Sequence, residues 1–305
     1  MTVRRSPTVR RRRLGWELRR LREAADLTIE RVADALECSD SKISRIETGQ
    51  VGATPRDVRD MLELYGVKDA QRDELMQIAR EGRQKGWWHT YDDTVIRTLI
   101  GFEAAATSIR TYAALLVPGL LQTVDYARAI TRAVQPDLSP DDVEGRVKVR
   151  TARQEHLMEN DPPSHWVVLD EAVFRRPVGG HEVMSDQVRH LRKAAESPTM
   201  TLQVLPFTAR EHAGMDGSFV IYGFAEAADL DVVYLENATS DVYLERVEEV
   251  RRYTTLFEHL CAAASTPEDS AAFLDKLAVE FEQPSAGPGQ ASQRQRSRHP
   301  TPARS

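Results

Sequence analysis

The chain has 305 residues, of which 41% are hydrophobic, enough for two or three domains with cores of their own. No apolar run reaches the ~20 residues that a membrane-spanning helix needs, and the arginine-rich N-terminus lacks the apolar segment of a secretory signal. The sequence therefore predicts a cytoplasmic protein without a membrane segment. The two cysteines, Cys38 and Cys261, are too few for a disulfide framework or a cysteine metal site.

The net charge of −6 is unevenly distributed along the chain. Residues 1–89 carry 19 Lys and Arg against 15 Asp and Glu, a charge of +4, whereas residues 90–283 carry 18 against 32, a charge of −14. Residues 284–305 contain four Arg and no acid. The positive charge of residues 1–89, which we call the basic head, predicts that a polyanion binds to the N-terminal part of the chain. The alternative is that the basic segment is a solvated tail.

Five short helices are predicted over residues 10–83. In the first, Leu14, Leu18, Leu21 and Ala25 recur at the spacing of one helix face. The other four follow capping or charged residues that are typical of helix starts, namely Thr28, Ser39, Thr54 (with Pro55 in the first turn) and Asp69. The sequence thus predicts an all-α domain at 10–83, preceded by a disordered arm at 1–9.

The rest of the chain alternates between short β-branched or aromatic runs and helical patterns. The predicted strands are 108–117, 165–174, 200–205, 219–224 and 232–235, and the predicted helices are 122–133, 140–159, 182–195, 245–264 and 268–281. This order favours an α+β domain at 87–283 with a small, mostly antiparallel sheet. Helix 245–264 has an apolar stripe that is either core or a self-association surface. Residues 284–305 are rich in Ser, Gly, Pro, Gln and Arg, which predicts a disordered tail.

Residues 28–48 have the pattern of a helix-turn-helix. Two short helices that cross steeply need a small residue where they touch, and Ala33 stands at that position. Apolar residues occupy the inward positions, which are Val32, Leu36, Cys38, Ile43 and Ile46. A plain helical hairpin can show the same stripe, but five helices in this order favour the helix-turn-helix.

The segment 13–67 resembles the phage-repressor-like (XRE) helix-turn-helix family. The residues that carry the resemblance are Leu14-Gly15, Leu18-Arg19, Leu21-Arg22, Val32-Ala33, Leu36 and the string Ser41-Lys42-Ile43-Ser44-Arg45-Ile46-Glu47 before Gly49. Two positions depart from the family pattern. Glu37 stands where the turn usually has glycine, so either a left-handed backbone there costs about 1 kcal/mol or the turn rearranges locally. Ile29 replaces a glutamine that usually reaches a phosphate, so phosphate contacts must come from elsewhere.

The resemblance implies that the third helix, residues 39–47, enters the major groove of double-stranded DNA. Its exposed candidates are Ser39, Asp40, Ser41 and Lys42 on the first turn, and Ser44 and Arg45 one turn later. Lys42 can donate to guanine, and Asp40 can either accept from cytosine or stabilise the helix dipole. The alternative for Lys42 and Arg45 is a solvated surface charge.

The resemblance also gives Glu47 a structural role, as partner of an arginine in the first helix, here Arg19 or Arg22. The run Arg10, Arg11, Arg12 and Arg13 is expected to lie along the DNA backbone or in the minor groove, as basic arms do.

The second region resembles an antitoxin-like domain that follows such modules in actinobacterial regulators. The marks are Val117-Pro118-Gly119-Leu120-Leu121-Gln122-Thr123, Tyr126-Ala127-Arg128, Ala152-Arg153-Gln154, Arg176-Pro177-Val178-Gly179-Gly180, Val204-Leu205-Pro206-Phe207 and Val233-Tyr234-Leu235-Glu236. This resemblance implies a small partner protein, encoded nearby, and no catalysis.

The enzyme motifs for phosphate, dinucleotide, acyl-transfer and zinc chemistry are missing from the sequence. We therefore expect no enzyme, no cofactor and no metal. Two functions remain open. The first is a sequence-specific transcriptional regulator, acting as a homodimer, whose second domain binds a partner or ligand. The second is an antitoxin-like interaction protein that neutralises a small partner and regulates its own synthesis through DNA binding.

Overall fold

The computed structural model describes residues 6–282 except 85, 91–93, 160, 227–230 and 239. The predicted tail at 284–305 and the first five residues of the predicted arm lie outside the described residues. Five helices form the first domain, namely α1 (Pro7–Ala24), α2 (Ile29–Ala35), α3 (Asp40–Glu47), α4 (Pro55–Leu64) and α5 (Asp69–Glu81). Each predicted helix of this domain is present.

The predicted arm at 1–9 is shorter than expected. Ser6 caps α1 by accepting a hydrogen bond from the backbone N–H of Thr8 at 3.2 Å, and Pro7 occupies the first turn. Residues 7–10 are buried. Val9 packs in one cluster with Phe102 of the second domain, and this contact fixes the start of α1 as ordered helix. The first helix therefore begins at Pro7, inside the range predicted as an arm.

The second domain contains seven helices and six strands among the described residues. The helices are α6 (Thr94–Ala105), α7 (Val124–Val134), α8 (Pro140–Glu159), α9 (Ala172–Arg175), α10 (His181–Ala194), α11 (Val247–Ala263) and α12 (Pro267–Glu282). The strands are β1 (Ser108–Ala113), β2 (Ser164–Asp170), β3 (Met200–Leu205), β4 (Phe219–Gly223), β5 (Val232–Glu236) and β6 (Asp241–Leu244).

The strands form one sheet in the order β3-β2-β1-β4-β5-β6. β1, β2 and β3 are parallel, because helices carry the chain back across the sheet between them. β4, β5 and β6 follow as antiparallel neighbours. The α+β prediction is confirmed, and the sheet is mixed, with three antiparallel and two parallel pairings among the described strands.

Helices cover both faces of the sheet. Alternate residues of β2 point to opposite sides, so Val167 and Leu169 join a core with α10 and α12, whereas Val168 joins a core with α11. In α11, Phe257 and Leu260 are buried in that core. Most of the apolar stripe of the predicted helix 245–264 therefore packs in the core, which favours that alternative over a self-association surface, and only Val247 at its start is strongly exposed, at 49%.

The two domains meet where α1 crosses α6. The approach is close, since a Cβ added to Gly101 would lie 2.1 Å from the Thr8 hydroxyl oxygen, and only glycine leaves enough space. Among the described residues, no helix is long and apolar enough to cross a membrane.

Candidate nucleic-acid interface

Two capped helices build the helix-turn-helix. The Thr28 hydroxyl accepts the backbone N–H of Arg31 at 3.3 Å and starts α2, and the Ser39 hydroxyl accepts that of Lys42 at 3.3 Å and starts α3. Between them, the backbone N–H of Cys38 donates to the Ala33 carbonyl at 2.9 Å. The first two hydrogen bonds give a backbone N–H in the first turn of α2 and of α3 an acceptor, and the third closes the sharp turn between the two helices.

Close packing fixes the angle of α3. Val32, Ala33 and Ile43 are completely buried, as the sequence predicts for the contact between the helices. Gly15 of α1 lies against the last turn of α3, where an added Cβ would be 2.5 Å from the carbonyl oxygens of Ile46 and Glu47. A side chain at Gly15 would therefore push the recognition helix away from α1.

The turn between α2 and α3 keeps a left-handed residue, since Glu37 has φ of 50°, and of the two alternatives for this position the structure has the left-handed backbone. We expect Glu37→Gly to raise the free energy of unfolding of the first domain by up to about 1 kcal/mol, because glycine adopts the left-handed conformation without steric cost. The greater conformational freedom of glycine in the unfolded chain offsets only part of this gain. Urea denaturation measures the difference.

Asp26→Gly is the matched control for this turn. Asp26 also has a left-handed backbone, with φ of 58°, but aspartate tolerates that region better than glutamate does. Its replacement should change stability by less than that of Glu37, and equal gains would contradict the explanation.

The outer face of α3 is polar and open. Ser39, Asp40, Ser41, Ser44 and Arg45 are all exposed, so the structure brings these predicted site residues together on one surface. The Nε of Arg45 donates to the Ser41 carbonyl at 3.2 Å, so the terminal nitrogens of the guanidinium are not used in this bond. The N-terminus of the helix adds the partial positive charge of its dipole to this surface.

Lys42 lies beside the same face but has a partner that the sequence did not indicate. Its Nζ donates to Asp57 Oδ1 at 2.7 Å, and its side chain is 40% exposed. Asp57 also forms the capping box of α4 with Thr54. The hydrogen bond to Asp57 raises the pKa of Lys42. Burial opposes ionisation of Asp57, but the bonds from Lys42 and Thr54 hold its pKa below the usual value.

Glu47 is structural, and its partner is Arg22. The guanidinium donates to both carboxylate oxygens, at 2.7 and 2.9 Å, and both side chains are buried. Arg19 instead pairs with Glu23 on the exposed side of α1. The alternative that the sequence left open is thereby resolved in favour of Arg22.

We call the four arginines at 10–13 the arginine clamp, because three of them, Arg10, Arg12 and Arg13, contact carboxylates of the second domain. Arg10 donates to Glu226 at 2.9 Å and lies 3.2 Å from Glu81. Arg13 pairs with Glu226 at 3.0 Å and with Glu74 at 2.6 Å. These carboxylates already neutralise two of the cations expected to meet DNA.

The middle of the arginine clamp is buried. Arg12 pairs with Glu245 and lies over the rings of Phe102 and Tyr243, 5.1 and 4.9 Å from their centroids. Burial lowers the pKa of Arg12 to about 10 and also lowers that of Arg11. Arg10, Arg12 and Arg13 thus link the two domains, and the expectation that residues 10–13 lie on DNA stays a prediction.

Two exposed arginines were missed by the sequence reasoning. Arg31 lies in the first turn of α2 and Arg56 in the first turn of α4, and the Arg56 side chain is 84% exposed. Helix N-terminal turns are favourable places for phosphate. Their position just after the caps Thr28 and Thr54 was the signal that pointed to them.

Comparison with known families agrees with the two domains. A model described as "Helix-turn-helix domain" matches residues 13–75, and one described as "Domain of unknown function (DUF5753)" matches residues 96–276. No curated protein and no solved structure matches the chain. The helix-turn-helix prediction is confirmed, and the antitoxin-like reading of the second domain stays a prediction. Because the second match covers more than half of the residues, the chain belongs to the DUF5753 family and carries a helix-turn-helix domain in front of it.

Proposed function

We propose that the protein is a sequence-specific transcriptional regulator that places α3 in the major groove of DNA and uses its second domain to bind a partner protein or a ligand. The observation that carries the proposal is the two-sided character of α3. Ile43 and Ile46 are buried on one side, while the other side presents exposed serines and Arg45 with no apolar residue among them. The regulator is proposed to act in the cytoplasm, without catalysis.

The residues of α3 have different proposed roles. Ser39 is engaged as a cap, and Asp40 at the first position stabilises the helix dipole. Ser41, Ser44 and Arg45 are placed to contact base edges, and Lys42 keeps two ammonium protons for DNA while the third bonds Asp57. Arg31 and Arg56, on the neighbouring helix starts, supply phosphate contacts in place of Ile29.

Replacing Lys42 by alanine tests the docking. We expect a loss of about 1–3 kcal/mol in binding free energy and a relaxed preference at one base pair, if Lys42 makes a bidentate contact to guanine. Uniform weakening on all sequences assigns Lys42 to phosphate instead. Binding of the operator and of scrambled DNA, measured by fluorescence anisotropy, distinguishes these results.

Two further variants make this test sharper. Asp57→Asn removes the ion pair but keeps Lys42, so an effect as large as that of Lys42→Ala shows that the pair acts by positioning. Lys193→Ala removes an exposed cation of α10 and should leave binding unchanged. Unimpaired binding by the double variant of Lys42 and Arg45 contradicts the proposed docking.

We also propose that the active form is a homodimer. One recognition helix offers three or four side chains to the bases, each worth about 1–3 kcal/mol, which is too little to select one site in a genome. Two half-sites about 34 Å apart, or a multiple of that distance, provide the missing selectivity. Analytical ultracentrifugation with and without operator DNA should show a dimer, and a monomer in both states refutes this proposal.

A further inference from the structure

A cavity of about 420 Å³ lies between α11 and the loop at 213–218. Its volume is in the range of small-molecule sites. β1 and β5 run in the same direction, since both are antiparallel to β4, and the cavity lies at the carboxyl end of β5, where Leu235, Glu236 and Asn237 line it. The cavity thus lies where β5 ends and the antiparallel β4 begins.

One wall of the cavity is apolar and well packed. Phe219 at the start of β4 and Tyr253 of α11 meet edge to face, with ring centroids 5.0 Å apart. Leu244 and Leu256 complete this wall. The wall therefore offers a surface for a hydrocarbon group of a ligand.

The rim of the cavity is charged and uncompensated. Asp216 of the loop and Glu249 and Arg252 of α11 all line it. Within the described part of the chain, the side chains of these three residues form no hydrogen bond and no ion pair, unlike the many paired arginines elsewhere. Because Glu236 adds a further acid, the lining residues carry more carboxylates than cations, and the local field favours a positive ligand.

The loop over the cavity is held in a costly backbone conformation. Arg210 has φ of 56° and ψ of −134°, a combination that suits glycine. The loop is anchored by His212, whose Nε2 lies 3.4 Å from Asp170 Oδ2, and by Gly214, where an added Cβ would lie 2.4 Å from the Tyr112 ring. Strain of this kind persists where the surrounding structure enforces it and is concentrated at ligand sites.

We propose that this cavity binds a small organic cation, an amine whose ammonium group is met by the carboxylates of Asp216 and Glu249 and whose hydrocarbon part packs on Phe219 and Leu256. The proposal names the class of ligand that the second domain binds. Only the regulatory role of that ligand rests on the proposed function. Leu244 lines the cavity and the next residue, Glu245, pairs with Arg12 of the arginine clamp. The ligand site is thus adjacent in sequence to the contact that joins the two domains.

Isothermal titration of the full-length protein with hexylammonium chloride tests the proposal, with sodium hexanoate as the matched probe of opposite charge. We expect hexylammonium to bind at millimolar concentration and hexanoate to bind at least about tenfold more weakly, since only the ammonium group gains charge-assisted hydrogen bonds. Equal binding of the two probes, or no binding of hexylammonium, overturns the proposal.

Variants locate the binding to this cavity. Asp216→Asn combined with Glu249→Gln should weaken hexylammonium binding by about tenfold or more, whereas Glu248→Gln, on the exposed side of α11, should leave it unchanged. Thermal unfolding confirms that each variant is folded. Binding that is insensitive to the double change overturns the proposal. Because the titration contains no DNA, a negative result does not contradict the proposed contact of α3 with DNA. In the same way, a negative result of the DNA-binding test does not contradict the proposed ligand site.

Discussion

Replacing Glu47 by alanine is expected to lower the free energy of unfolding of the helix-turn-helix domain by about 3–5 kcal/mol, because it leaves the charge of Arg22 buried without its partner. The two side chains are only 9% and 3% exposed, and the guanidinium makes two bonds to the carboxylate. Of the remaining contacts of Arg22, the hydrogen bond to the Leu27 carbonyl at 2.8 Å cannot neutralise the charge, and Glu23, 3.8 Å away with its side chain 54% exposed, is screened by solvent. Urea denaturation followed by circular dichroism measures the loss.

The same helix provides a matched control. Arg19 and Glu23 form an ion pair at 2.8 Å with both side chains more than half exposed, so Arg19→Ala should cost no more than about 1 kcal/mol. Replacing Arg22 by Met and Glu47 by Leu together should recover much of the loss, because both buried charges are then removed. If Glu47→Ala costs no more than Arg19→Ala, the buried pair does not support the domain.

The helix-turn-helix could be predicted from the sequence because its determinants are local. The caps Thr28, Ser39 and Thr54 each lie next to the helix that they start, and all three accept the expected backbone N–H. The apolar stripe that includes Ile43 and Ile46 has the period of a helix and is buried as predicted. The position of the candidate DNA-reading face could therefore be predicted mainly from the pattern of residues 39–48.

The sheet was harder to predict because strand direction depends on the connections. Predicted helices stood between the strands at 108–117, 165–174 and 200–205, and this alternation indicates parallel neighbours. The prediction of a mostly antiparallel sheet rested on the mixed order of helices and strands, and the antiparallel pairings are β1–β4, β4–β5 and β5–β6. Three elements were missed. α6 is apolar on most of its surface and lacks an amphipathic stripe, β6 has only four residues, and α9 is a four-residue helix where the end of the strand at 165–174 was predicted.

The contacts of the cations could not be predicted, since their partners are distant in sequence. Arg10 and Glu226 are 216 residues apart, and Lys42 and Asp57 are 15 apart on different helices. The charge pattern correctly identified a basic head and an acidic body. It did not show that part of the body neutralises part of the head, which requires the docking of α1 on α6.

Lowering the pH from 7 to 4 is expected to decrease the free energy of unfolding of the second domain by about 3 kcal/mol. This figure is the contribution of His165 by itself. This histidine of β2 is buried, and burial lowers its pKa to about 4, whereas an unfolded histidine titrates near 6.5. Below pH 6.5 the unfolded chain binds a proton that the folded domain does not, so stability is fully present above the unfolded pKa and is lost as the pH falls toward the folded one. The largest slope is about 1.4 kcal/mol per pH unit.

His165→Gln isolates this contribution from that of the carboxylates. Nε2 of His165 lies 3.1 Å from the Thr111 hydroxyl, and the glutamine amide can keep that hydrogen bond while it never takes up a proton. Urea denaturation of both proteins from pH 7 to pH 4 should therefore show a shallower pH dependence for the variant, whatever its stability at neutral pH. Parallel slopes for the parent and His165→Gln would show that His165 is protonated equally well in the folded domain, contrary to its burial between β1 and β3.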